Sequence, residues 1–165
     1  MIQQVLREWP PGFGGVERVA HELASVWCGD VFSLDAQPES RREQDPLPVH
    51  YRRFRLARIQ IGRLLLPLPS LVLWRLLRSP QPLHGHLPSP AVLLILLLAR
   101  LLKPRRTVTA HWHCFLEPSS GINGRLFGVY QQLAVVLLPF LSGVITTSPL
   151  LRDELILCGC ASEKV

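Results

Sequence analysis

The chain has 165 residues, 48% of them hydrophobic, and a formal net charge of +6, which suits one domain with a real core and leaves no room for a second catalytic domain. This composition excludes the disordered class. The two longest apolar stretches, 64–77 and 91–102, are interrupted by Pro67, Pro69 and Arg100 and fall short of the roughly 20 residues that cross a bilayer, so both are expected as buried helices.

At the N-terminus, Arg7 and Glu8 run into Pro10 and Pro11 without an apolar region or a small-residue cleavage site, so no secretory signal is expected and a cytoplasmic protein is. Residues 2–9 predict a first strand, rather polar for that role. Residues 10–15 form a turn, and 16–26 a helix with Val16, Val19, Ala20, Leu23 and Ala24 on one face. A second strand is expected over 30–36, an exposed loop over 37–48 and a third strand over 49–55. The stretch 60–77 is expected to be helical on either side of its prolines, with a break or kink between.

Further on, 83–87 predicts a short strand ending at Pro88 and 91–102 a fully buried helix. The run 106–114 is rich in β-branched residues and ends in His111, Trp112 and His113. A polar loop over 117–124, a helix over 125–138, a buried strand over 143–147 and a helix over 149–158, stopped by Gly159, complete the pattern. Lys164 and Val165 look like the start of another strand. Strands alternating with helices predict an α/β fold with a mostly parallel sheet and crossover helices.

Arg52, Arg53, Arg55, Arg58 and Arg63 crowd one segment. Such a patch suits a phosphate-bearing partner or an anionic membrane surface, and equally a merely solvated face. Nucleic acid is not expected, because no aromatic residues are interleaved with the basic run as stacking platforms. Cys28, Cys114, Cys158 and Cys160 form no metal-ligand ladder and are expected as reduced thiols.

Three places can carry chemistry. Gly14 and Gly15 precede a helix, where backbone N–H groups and the positive helix end can meet a phosphate; a Gly-Gly turn is also simply a tight turn. The spacing is not the dinucleotide fingerprint. His84 and His86 share one face at the carboxyl end of a strand, the rim on which open parallel sheets bind ligands. His111, Trp112 and His113 end another strand, where a histidine can bind sugar hydroxyls or phosphate and Trp112 can stack on a sugar ring or a lipid. His84, His86, His111 and His113 together would make a tetrahedral metal site on paper, but strand ends gather histidines for substrates as readily, and no metal is expected. Ser148 before Pro149 reads as a helix cap, not a nucleophile.

Four segments, PPGFGGVERVAHELA (10–24), LHGHLPSP (83–90), TVTAHWHCF (107–115) and GVITTSPLLRDELILCGCASEKV (143–165), in this order, resemble the N-terminal domain of family 4 glycosyltransferases, enzymes of the two-domain GT-B fold. The resemblance implies a Rossmann-like sheet with helices on both faces, spanning residues 1–165 as the acceptor-side half. It further implies transfer of a sugar from a nucleotide-sugar donor to a glycan or lipid-linked acceptor. Gly14 and Gly15 would lie against the donor diphosphate, with Glu17 and Arg18 opening the next helix. His111 would be the catalytic histidine near the transferred sugar. His86, Trp112 and His113 would line the acceptor cleft, and Ser148 would stand at its floor. No cofactor or metal is implied, since helix ends and basic side chains stabilise the leaving diphosphate. A second Rossmann-like domain carries the donor-gripping residues in the family. The chain is therefore expected to be a truncated or split half, inactive alone; the rival expectation is a remnant or small α/β binding module at a membrane surface.

Overall fold

In the computed structural model, residues 1–8, 14–36, 51–62, 64–116 and 122–165 are described. The expected loop over 37–48 lies outside them, as do most of the glycine-rich turn and of the loop over 117–124. Strand β1 (Gln3–Leu6) pairs with β2 (Val31–Ser33) on one side and with β6 (Leu83–Leu87) on the other, both in parallel. Beyond β2 lies β3 (Arg53–Arg55); beyond β6 lie β7 (Val108–Trp112) and β8 (Gly143–Thr146). Every pairing in this six-stranded sheet is parallel. The order is β3-β2-β1-β6-β7-β8, which is the doubly wound order of Rossmann-like folds.

The strands are crossed by helices on both faces. Helix α1 (Gly15–Trp27) packs its Ala20 and Ala24 against Leu6 and Val31, with Tyr51 completing this smaller core. On the opposite face α2 (Leu71–Arg78) and α3 (Pro90–Leu102) lie over Val5, Leu83, Val108, Ala110 and Trp112. Helices α4 (Ile122–Leu137) and α5 (Pro149–Leu157) add Ala134, Val135 and Leu155 to the same larger core. Helix α3 buries Val92, Leu93, Ile95 and Leu96. At about 1.5–3 kcal/mol for each large side chain removed from water, this helix is the main anchor of that face. It also comes very close to the sheet: a Cβ on Gly85 would meet Leu96 Cδ1 at 2.6 Å.

Arg106, buried at the opening of β7, ties several elements together. It donates from Nε to Gln81 O (2.7 Å), from Nη1 to Leu76 O (2.9 Å) near the end of α2, and from Nη2 to Gln3 Oε1 (3.0 Å). Burial pulls its pKa down to about 10, so the guanidinium stays charged at neutral pH and its cost of desolvation is offset by these acceptors.

Two expectations are corrected here. The first half of the stretch 60–77 is not helical: β4 (Arg58–Ile61) and β5 (Leu64–Pro67) form an antiparallel hairpin, and only Leu71–Arg78 is helical. Gly62 has φ +59 and supplies the left-handed turn, while Pro67 and Pro69 disfavour helix in the residues before them. The second correction concerns the C-terminus, where Ser162–Lys164 is a 3-10 turn, not a strand; Lys164 Nζ donates to Leu141 O at 3.2 Å.

Candidate functional site

In a doubly wound sheet the connections leave a central strand in opposite directions, and a crevice opens where they part. Here that point lies between β1 and β6, since the chain runs from β1 outward to β2 and β3 and then returns to β6. Helix α1 starts at the carboxyl end of β1, with Gly14 as its N-cap residue. The carboxyl ends of β6 and β7 stand beside it and carry His86, His111 and His113. Register pairs His86 with His111 and His84 with Thr109, so alternation puts all four histidines on the α1 face.

The histidines form a packed row. Ring centroids lie 5.1 Å apart for His84 and His86, 6.0 Å for His86 and His111, and 4.0 Å for the stacked pair His111 and His113. His84, His86 and His111 are buried, and Trp27 of α1 meets His84 edge-on at 5.2 Å. Gln4 on β1 fixes the protons in part of the row. Its Nε2 donates to Ala20 O (3.2 Å), so its Oε1 is the acceptor facing His86 Nε2 at 2.8 Å. His86 must therefore carry its proton on Nε2, and its Nδ1 accepts from His113 Nε2 at 3.0 Å. His84 Nδ1 meets the Thr109 hydroxyl at 2.8 Å.

Burial keeps this row neutral. Desolvation, followed by the proximity of His111 and His113, lowers His84 to about 3; desolvation and then His111 lower His113 to about 4. His86 is held well below 6.5, by burial first and then by His84, His113 and His111, and burial alone lowers His111. At neutral pH the row offers lone pairs and N–H donors, not positive charge.

Gly14 and Gly15 are exposed at the α1 N-terminus, and nothing lies within 4 Å of a Cβ on Gly15. Glu17, half-buried, folds its carboxylate back toward the cap: its Oε2 would stand 3.0 Å from a Gly14 Cβ. A carboxylate in the first turn is favourable to the helix, and its negative charge stands beside the cap that an incoming phosphate would approach. Arg18 is exposed on that turn. Ser148 caps α5, accepting from Leu151 N at 3.2 Å, at the same rim beyond β8. Trp112 is corrected: it is 0% exposed, lies on the opposite face within the larger core, and meets Phe115 at 5.4 Å. Its ring is a core side chain out of reach of a sugar.

Sequence reasoning missed Gln4 and Thr109. The polarity of the first strand was the available signal, because an amide on the inner face of a central strand has to be bonded to something. The arginine patch is exposed at Arg52 and Arg55 and partly tied into the fold. Arg52 pairs with Asp30 (2.9 Å), Arg55 with Asp35 (2.6 Å), and Arg58 donates to the carbonyls of Leu34 and Asp35. These three are engaged in holding β2 and β3, and Arg63 lies outside the described residues.

The fold and its rim define a Rossmann-like α/β domain with its candidate site at the strand switch point. The family model described as Glycosyltransferase Family 4 matches residues 13–165, and the chain belongs to that family. Searches of curated proteins and of solved structures find no match.

Proposed function

We propose that the domain is the acceptor-side half of a glycosyltransferase that moves a sugar from a nucleotide-sugar donor to a glycan or lipid-linked acceptor, in partnership with a donor-binding domain. The observation that carries this is the meeting of the α1 N-terminus with His86, His111 and His113 on one rim of the strand switch point. In this reading the Gly14 and Gly15 amides face the leaving diphosphate. His111 stands against the reacting sugar and acceptor hydroxyl as a neutral imidazole, able to accept or donate one proton. His86 and His113 orient it, Arg18 and Glu17 border the entrance, and Ser148 closes the floor. The diphosphate is stabilised by helix ends and basic side chains, so the transfer step itself uses no metal or cofactor.

A lipid-linked acceptor at the cytoplasmic face of a membrane agrees with the hairpin and α2. Ile59, Ile61, Leu71 and Trp74 are exposed there, and Arg78 lies 5.0 Å over the Trp74 ring. No described helix is long and apolar enough to cross a membrane, so contact would be at the surface. Vesicles containing anionic lipid should retain the protein at low salt and release it at high salt; equal retention by neutral vesicles removes this part of the reading.

Ligand-observed NMR tests the core of the proposal. Saturation transfer from the chain to sugar-bearing acceptor analogues should be clear, should weaken in His111→Ala, and should exceed the response to nucleoside diphosphates. Supplying a donor-binding domain of the family should restore transfer with the wild-type chain and not with His111→Ala. Absence of any acceptor response together with absence of transfer would leave a non-catalytic binding module as the better account.

A further inference from the structure

We propose that His84, His86 and His111 form a binding site for a borderline-soft divalent transition-metal ion of the zinc class. One ring nitrogen from each of the three lies within 4.8 Å of the others, and all three side chains are buried. In a tetrahedral zinc centre with Zn–N of about 2.0–2.1 Å the nitrogens stand roughly 3.4 Å apart. Small side-chain rotations therefore close the present triangle onto an ion.

The nitrogens themselves carry the argument. A neutral imidazole buried without partners costs free energy, and native interiors leave few such atoms. Here His84 Nε2 and both ring nitrogens of His111 are buried with no hydrogen-bond partner among the described residues. These orphaned atoms belong to two of the three members of the triangle. A metal ion would take up His84 Nε2 and one of the two His111 nitrogens, the one that carries the lone pair of the neutral imidazole.

Two of the three histidines, His84 and His86, have the surroundings that metal-bound histidines need. Such a histidine gives its second ring nitrogen to an oxygen, which fixes the tautomer and the ring orientation. His84 meets the Thr109 hydroxyl through Nδ1, leaving Nε2 for the ion. His86 donates through Nε2 to Gln4 Oε1, leaving the Nδ1 lone pair, which His113 Nε2 now approaches at 3.0 Å. His113 would have to give up that lone pair to the ion, and a water would complete the coordination. A donor set of imidazoles without a carboxylate selects zinc, cobalt, nickel or copper over magnesium and calcium. The site lies on the chain's own strands and shares His111 with the glycosyltransfer reading: a His111 whose lone pair is on the ion cannot also take a proton from an acceptor, so the two roles exclude one another at any moment.

The test uses the full chain with Cys28, Cys114 and Cys158, the three exposed thiols, replaced by serine. After chelator treatment it is titrated with Zn²⁺ by calorimetry, and with Co²⁺ followed by visible absorption. One equivalent should bind, Co²⁺ should give the intense d–d bands of tetrahedral nitrogen coordination, and the melting temperature should rise. Mg²⁺ should do none of this. His84→Gln and His111→Gln should each weaken Zn²⁺ binding at least tenfold, while His21→Gln, outside the row, should bind as the parent does. Because a buried substitution can unfold the chain, ring-nitrogen NMR of the unsubstituted protein provides the second reading: His84 Nε2 and a His111 nitrogen should shift on adding Zn²⁺. No saturable binding, equal affinity in the glutamine variants, or unmoved His84 and His111 nitrogens would overturn the site.

Discussion

A Cβ built on Gly29 would stand 1.8 Å from the carbonyl oxygen of Ile2. The neighbour is backbone of the chain leading into β1, so it cannot rotate aside. Gly29→Ala should therefore destabilise the domain by about 3 kcal/mol or more, at or above the upper range for overpacking, measured by urea unfolding. Gly85→Ala also clashes, but with the Leu96 side chain, which can shift; a loss of about 1–3 kcal/mol is expected. The histidines respond to pH. An unfolded chain takes up protons near 6.5, whereas His84 in the folded state waits until about 3 and His113 until about 4. Stability from this source is full above pH 6.5 and is lost as pH falls through the window below it. For His84 the loss between pH 7 and pH 5 is about 2 kcal/mol. Urea unfolding of chelator-treated protein should show it, and His84→Gln should flatten the slope; a stability independent of pH over that interval would refute the assignment.

At the scale of elements, the strand and helix pattern was readable wherever apolar periodicity and chain punctuation agreed. The segments 83–87 and 91–102 fell within a residue of β6 and α3, because a short run closed by proline and a long continuous apolar run admit few other structures. The stretch 60–77 misled because its leucines carry no period of their own, and Gly62 together with Pro67 and Pro69 decided the outcome. Gly62→Val, forced to a positive φ, should loosen the β4–β5 hairpin, seen as faster amide exchange at Ile59 and Leu66, with the six-stranded sheet still protected. Uniform exchange would contradict the turn's role. The candidate site was partly legible: strand-end histidines announce themselves in sequence, but which of them touch depends on register, and Gln4 joins His86 from 82 positions away. Trp112 was misjudged because its neighbours alternate across the sheet, so His111 and Trp112, adjacent in sequence, belong to opposite faces.

Across the whole molecule, one surface remains conspicuously apolar. Leu126, Val129, Leu133, Val136 and Phe140 recur at helical spacing along α4 and just beyond it, each more than half exposed. Contiguous apolar surface of this kind drives association. Replacing Leu126, Val129, Leu133 and Val136 by glutamine should leave the melting temperature nearly unchanged and should lower concentration-dependent light scattering; a large drop in melting temperature would mean that these side chains belong to the core.

The glutamine that spans α1 and the histidine row gives the domain a directional property. As long as α1 holds the Gln4 amide nitrogen at Ala20 O, the amide oxygen faces His86 and polarises the row one way. A displacement of α1 large enough to break that bond frees the amide to turn over. Its NH₂ would then face His86, demand a lone pair at Nε2, and send the ring proton to Nδ1. The His86–His113 bond would reverse its donor. The seating of a helix on the sheet thus sets which way protons point at the rim, so a ligand that nudges α1 can rewrite the tautomers without touching an imidazole.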